Sequence, residues 1–148
     1  MTDLPTSGPL PRPANPDEGR AALRDEAIPA PDTQRVRLRA VEFTSICPRS
    51  GQPDFGGVTI EYEPGELLIE SRSLKFYLWS FRDEGAFCES LAARIADDIV
   101  AAIAPEWLRV DVHQNVRGGI EILARAQRGD IARPDMDHAP LRDQSPLD

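Results

Sequence analysis

Two side chains suited to covalent chemistry, the thiol of Cys47 and the carboxylate of Asp54, lie in the stretch Ser45-Ile46-Cys47-Pro48-Arg49-Ser50-Gly51-Gln52-Pro53-Asp54-Phe55-Gly56-Gly57. This stretch reads as a long connection between two strands, stiffened by two prolines. A thiolate attacks electrophilic carbon, and a carboxyl group held beside it can protonate what forms. Placing both on one rigid segment lowers the entropic cost of bringing them together. Each residue also has an ordinary reading: a lone cysteine often behaves as a small buried hydrophobe, and aspartate after proline is a common turn residue.

Three further groupings carry charge in suggestive places. Glu70-Ser71-Arg72-Ser73-Leu74-Lys75-Phe76-Tyr77-Leu78 opens a helical pattern, and Lys75 is the only lysine in a chain with sixteen arginines. Arg72 and Lys75, three apart, share a helical face and can present positive charge to a phosphorylated ligand, although such a face is as often merely solvated. Phe87-Cys88-Glu89 begins a second helix, where a carboxylate meets the positive end of the helix dipole. It could also accept paired N–H groups of a purine-like ring. Arg117-Gly118-Gly119 is a flexible turn bearing a cation.

The elements that must hold these groups follow from periodicity. Val36, Leu38 and Ala40 alternate with Arg37 and Arg39 and then slip register at Val41 before Phe43, as in a strand with a bulge. Val58, Ile60 and Tyr62 alternate with Thr59, Glu61 and Glu63, as in a strand with one wet face. Pro64-Gly65 supplies a tight turn, and Leu67-Leu68-Ile69 a short extended piece. Leu74, Leu78 and Phe81 mark a helix with Ser71 or Ser73 as N-cap, ending near Gly85. A second helix fits residues 88–104, where Leu91, Ile95, Ile99 and Ile103 recur every four positions before Pro105. Leu108, Val110 and Val112, then Ile120, Ile122 and Ala124, give two closing strands. The order ββααββ predicts an α+β fold: an antiparallel four-stranded sheet with two helices on one face.

With 148 residues the chain has one domain's worth of protein, and its formal net charge is −8. Ten of the fourteen prolines fall in residues 1–34 and 130–148, which are expected to be a disordered Pro-rich tail and a disordered acidic tail around a folded domain at 35–129. The folded part is small for a monomer, and its open sheet edges call for pairing, so subunits sharing edges to close an oligomeric barrel are expected. No apolar stretch approaches the roughly 20 residues of a membrane-spanning helix. Asp3 and the early prolines do not suit a secretory signal, and two cysteines fit a reducing cytoplasm. The near-neutral middle lacks the basic face that direct nucleic-acid binding requires.

Together, Glu42-Phe43-Thr44-Ser45-Ile46-Cys47-Pro48, Gly51-Gln52-Pro53-Asp54-Phe55, the segment from Glu70 to Leu78, Ser80-Phe81-Arg82 and Arg117-Gly118-Gly119-Ile120 resemble signatures of one family. It is that of the NADPH-dependent 7-cyano-7-deazaguanine reductases, the nitrile reductases of queuosine biosynthesis, in their short single-domain form. The resemblance implies the tunnelling fold, whose subunits close barrels by sharing sheets. It implies that Cys47 attacks the nitrile carbon to form a thioimide and that Asp54 supplies a proton. Glu70, Ser71, Cys88 and Glu89 would then contact the deazaguanine substrate, and Arg72, Ser73, Lys75 and Arg117 the NADPH cofactor. Three sites depart from the family pattern: Cys88 stands where a histidine usually precedes the ring-gripping glutamate, Arg72 where a lysine is usual, and Val112-His113-Gln114-Asn115-Val116 where a more aromatic stretch precedes the Arg-Gly-Gly turn.

Three other readings remain open at this point. One is a relative that captures the nitrile without reducing it, forming an amidine or amide. Another is a non-catalytic deazaguanine-binding paralogue. The third is a zinc hydrolase of the same fold using Cys47, Cys88 and His113, whose spacing matches no compact metal motif.

Overall fold

The computed structural model describes residues 4–130. Four long strands form one antiparallel sheet in the order β2-β3-β5-β6: β2 (Val36–Ile46), β3 (Pro53–Glu63), β5 (Trp107–Arg117) and β6 (Ile120–Arg128). Between β3 and β5 the chain forms β4 (Leu67–Leu68), α2 (Ser71–Trp79) and α3 (Cys88–Ile103). Upstream lie α1 (Pro16–Asp25) and β1 (Ile28–Pro29), which pairs with β4. The expected α+β architecture is therefore present, with a third helix. No helix among the described residues is long and apolar enough to cross a membrane.

Two expectations change. Residues 4–34 do not form a featureless tail. Asn15 caps α1 by accepting a hydrogen bond from the Glu18 N–H at 3.0 Å, and Pro16 occupies the first turn, where its missing N–H costs nothing. Ala22 and Leu23 are fully buried, and a Cβ added to Gly19 would lie 2.7 Å from Ser80 Oγ, so α1 docks closely on the end of α2. The proline-rich composition concealed a helix-start signal. The expected tail at 130–148 lies, apart from Asp130, outside the described residues. The connection from Ser45 to Gly57 is also far shorter than its prolines suggest: β3 begins at Pro53, leaving only Cys47 to Gln52 as the turn.

The core follows the alternation. Val58, Ile60 and Tyr62 on β3 and Leu108, Val110 and Val112 on β5 face Leu91, Ile95, Ile99 and Ile103 of α3, all nearly or completely buried. Ile69 N–H donates to Tyr62 Oη at 3.0 Å, so the one phenol in this layer is satisfied. The opposite face, expected to be wet, is a covered charge network. Arg109 donates to Glu61 Oε2 at 2.9 Å, Arg125 grips both oxygens of Asp111 at 2.7 and 2.9 Å, and Arg35 and Arg109 both lie against the Trp107 ring.

Two bulges decide what faces what. On β2, two residues separate Ala40 from Phe43, while their β3 partners Val58 and Gly56 are separated by one. On β5, two residues separate Gln114 from Arg117, while their β6 partners Ile122 and Ile120 are separated by one. One extra residue reverses the facing of every side chain beyond it. Phe43 and Ser45 consequently turn to the helix side with Asp54, and so does Arg117, which shares the side of Ile120 and Ile122. The bulge at Val41 was legible in the sequence; the second was not.

Candidate active site

The end of β2 is clamped. Ile46 N–H donates to the Glu84 carbonyl at 2.9 Å, and Ala86 N–H donates to the Ile46 carbonyl at 3.1 Å. The turn that follows closes on itself, with Cys47 N–H donating to Gln52 O and Gly51 N–H to Cys47 O, both at 2.9 Å. Gly51 has φ +69°, a conformation that other residues adopt only with strain. Cys47 thus projects from a short, internally bonded turn rather than from a mobile loop.

The Cys47 side chain is 9% exposed, and its surroundings are local and polar. The Ser50 hydroxyl, the Arg117 guanidinium, and the backbone N–H groups of Ser50 and then Arg49 lower its pKa to about 6. The thiolate therefore predominates at neutral pH, the form required of a nucleophile. Asp54 is 8% exposed, and its Oδ1 accepts from Arg117 Nη1 at 2.6 Å and from Gln114 Nε2 at 3.4 Å. Arg117, expected among the cofactor ligands, pairs with Asp54 and also acts on the Cys47 thiol. Ser50 and Gln114 join the site without having been singled out in the sequence. Ser50 had a local signal, a hydroxyl three residues beyond the cysteine in a glycine-containing turn. Gln114 had none, because its position opposite Gly56 depends on strand pairing.

Cys88, expected at the substrate, is buried at the start of α3. It is 3% exposed, and its thiol donates to the Val112 carbonyl at 3.4 Å. Burial first, and then the neighbouring Glu89 carboxylate, push its pKa up to about 11, so it stays neutral and is a poor proton relay near pH 7. It lines a crevice with Ser45, Asp54, Phe55 and Gln114 whose open space is only about 10 Å³, no more than a water occupies. Glu89 and the preceding Phe87 are exposed at the start of α3.

The residues opening α2 divide between structural and ligand-facing positions. Glu70, not Ser71 or Ser73, is the N-cap: Oε1 accepts from Arg72 N–H and Oε2 from Ser73 N–H, each at 2.8 Å. Ser73 is fully buried and its hydroxyl donates to the Glu70 carbonyl at 2.8 Å, so it orders the helix start and does not reach a cofactor here. Ser71 and Lys75 line a cleft of about 470 Å³ between β2 and α2, with Arg39, Phe43, Trp79 and Arg82. Arg72 stays outside its wall, and its Nη2 is buried without an acceptor. Three cations and an indole along one cleft suit a phosphorylated ligand carrying flat rings. Phe43 lines both the cleft and the crevice beside Asp54, so the two spaces adjoin.

Glu70→Ala should destabilise the protein by about 1 kcal/mol through loss of the cap, read as a lower urea midpoint with an unchanged slope. Glu70→Asp, which retains a carboxylate for capping, should recover part of that loss.

Among the described residues no three of the His, Cys, Asp and Glu side chains are grouped to hold a metal ion. Cys88 faces Val112, and His113 pairs with Glu121.

Comparison with known proteins places this geometry in context. The family described as QueF-like protein matches residues 53–133. A protein of Anaeromyxobacter sp. (strain Fw109-5), named NADPH-dependent 7-cyano-7-deazaguanine reductase, is 48% identical over 103 residues, covering 69% of this chain and 84% of that protein. A protein of the same name from Parvibaculum lavamentivorans is 44% identical over 137 residues, covering 89% of this chain and 88% of its own length. Among solved structures, the apo form of the archaeosine synthase QueF-Like superposes with a TM-score of 0.64 at 27% identity, covering 68% of this chain and 99% of that one.

Proposed function

Because the chain belongs to the QueF-like protein family, we propose that it reduces the nitrile of 7-cyano-7-deazaguanine to the primary amine, 7-aminomethyl-7-deazaguanine, at the expense of NADPH. The product would serve queuosine biosynthesis and hence tRNA modification. The observation that carries this reading is the thiol of Cys47 and the carboxylate of Asp54 joined through one guanidinium, the nucleophile already in its reactive form.

The Cys47 thiolate adds to the nitrile carbon, forming a C–S bond, and the nitrogen takes a proton. Asp54 would take that proton from water and pass it on through Oδ2, because Oδ1 is engaged as acceptor by Arg117 and Gln114. The linear nitrile becomes a planar thioimide carbon that a reductant can reach. NADPH, when bound, supplies hydride once to the thioimide and once to the imine. Between those reductions the C–S bond breaks and Cys47 leaves as thiolate, a good leaving group given its lowered pKa. Ser71 and Lys75 in the β2–α2 cleft would hold the cofactor phosphates, with Arg72 at its edge, while Trp79 offers a face for a ring. Glu89, exposed at the start of α3, would accept from the ring N–H groups, and Glu70, the cap of α2, would join it at the substrate.

One chain does not enclose the substrate, since the space beside Asp54 holds no bicyclic ring. The residues adjoining the site in sequence, Phe55, Phe87, Val116 and Ile120, are each at least half exposed. Among the described residues β6 has no strand along its outer edge, and β2 has none beyond the clamp at Ile46. These features support a homo-oligomeric barrel in which a neighbouring copy completes the pocket, within a reducing cytoplasm that keeps both thiols free.

The structural likeness to an archaeosine synthase favours one second reading, capture of the same thioimide by an amine in place of hydride. Incubating the protein with the nitrile, with and without NADPH and ammonium, separates the two. Aminomethyl product that appears only with NADPH is the expected outcome. Amidine formed without NADPH would replace reduction with transfer.

A further inference from the structure

We propose that Arg117 is the positioning residue of the reaction, holding the Cys47 thiolate and the Asp54 carboxylate in register with each other, and that the β5 bulge exists in this chain to deliver it there. This deepens the reductase reading and rests on it for the chemical step, but its first test does not.

The argument begins with parity. On β5, Leu108, Val110, Val112 and Gln114 face the helices, so an uninterrupted strand would send Arg117 to the opposite side with Arg109 and Asp111. The extra residue between Gln114 and Arg117 reverses this and aligns Arg117 with Ile120 on the helix side. There Arg117 donates to Asp54 Oδ1 at 2.6 Å, and its guanidinium helps to hold the Cys47 thiol well below its ordinary pKa. On β2 the matching bulge brings Ser45 opposite Asp54, two residues before Cys47. Nucleophile, acid and cation therefore meet only because two strands each carry one residue more than their partners.

The groups that act on Cys47 are the Ser50 hydroxyl and the Ser50 and Arg49 N–H groups of its own turn, and Arg117 of β5, while the segment from Glu84 to Ala86 clamps the preceding Ile46. Asp54 of β3 is tied to Arg117, and Cys88 of α3 has Glu89 and Asp54 among the charges acting on it. Cys88 is neutral, so Arg117 is the charged side chain that acts directly on the sulfur and favours thiolate. Because Arg117 is bonded to Asp54 Oδ1, it also leaves Oδ2 as the oxygen free to face the nitrile nitrogen. One guanidinium thus sets both the charge of the nucleophile and the orientation of the acid. A cation that served only the cofactor phosphates would do neither.

The test uses the full chain and needs no substrate at first. Alkylation of Cys47 by iodoacetamide, resolved by peptide mass against pH from 5 to 9, should show a midpoint near 6 in the native protein. Arg117→Ala should raise that midpoint by about one unit or more, and Arg117→Lys by less, since the charge is kept while the fork is lost. Deleting Asn115, which removes the bulge while keeping the arginine, should behave as Arg117→Ala does. The midpoint is the readout rather than the plateau rate, because a thiolate of higher pKa is also intrinsically more nucleophilic. An unchanged midpoint in a folded Arg117→Ala protein overturns the proposal. The second arm measures adduct formation with 7-cyano-7-deazaguanine in the absence of NADPH. It should slow in Arg117→Ala, with its pH optimum displaced upward; a raised KM for NADPH with adduct formation untouched would make Arg117 a cofactor ligand only. If the native protein forms no adduct, the reductase reading fails, while the alkylation midpoints still decide what Arg117 does to Cys47.

Discussion

Cys47→Ala is expected to yield a folded protein that forms no covalent adduct with 7-cyano-7-deazaguanine and has lost turnover by on the order of 10^4-fold or more, the scale seen when a nucleophile is removed. Intact-mass measurement after mixing with the nitrile shows the adduct directly, and steady-state NADPH consumption shows the rate. The fold should survive because the sulfur sits in a polar turn closed by Cys47 N–H to Gln52 O and Gly51 N–H to Cys47 O, bonds that alanine retains. The Arg117–Asp54 pair does not depend on the sulfur either. A Cys47→Ala protein that keeps substantial reductase activity would show that no thioimide forms. An adduct persisting in it would move the nucleophile elsewhere, and Cys88, buried against Val112 O, is poorly placed to replace it.

Gly56→Ala is expected to be the most destabilising single substitution in the sheet, costing about 4 kcal/mol or more and bringing the protein close to unfolding. A Cβ at this position would stand 1.7 Å from the His113 carbonyl oxygen and 2.8 Å from its carbon, both backbone atoms that no rotamer change can remove. Relief would require β3 and β5 to separate at the level where the bulges on β2 and β5 converge, and so would disturb Asp54 and Gln114 along with the pairing. Gly118→Ala is the natural comparison. Its φ of +60° imposes strain, but nothing lies within 4 Å of the added atom, and a loss of about 1 kcal/mol is expected. Urea denaturation of the two variants should separate them by several-fold in the energy lost. A loss at Gly56 no larger than at Gly118 would mean that the strands do not press together there.

What the sequence disclosed and what it concealed divide along physical lines. Alternating Val58, Ile60 and Tyr62 and the four-residue recurrence of Leu91, Ile95, Ile99 and Ile103 are local patterns, and both elements appear where those patterns lie. Cys47 and Asp54 were readable as partners because a short chain segment joins them. The tie between them was not, since Arg117 comes from 63 positions beyond Asp54 and faces it only through an inserted residue. Pro53 to Gly57 has turn composition, yet belongs to β3 because its glycines admit closely spaced neighbours. Glu70 outcompeted the two serines as a cap because a carboxylate reaches two N–H groups at once. Cys88 occupies a position where the resembled family usually has histidine, and only the packing of α3 against Val112 shows that its thiol turns inward.

The two bulges make the catalytic face depend on residue count as much as on residue identity. An in-frame loss of a single codon between Gln114 and Arg117 would preserve every chemically important side chain and still carry the cation to the far side of the sheet. A compensating codon gained between the lesion and the arginine would bring it back. Variation in this protein is therefore constrained in length at two short segments where substitution is comparatively free, so that gaps falling there report on the site more reliably than the letters around them.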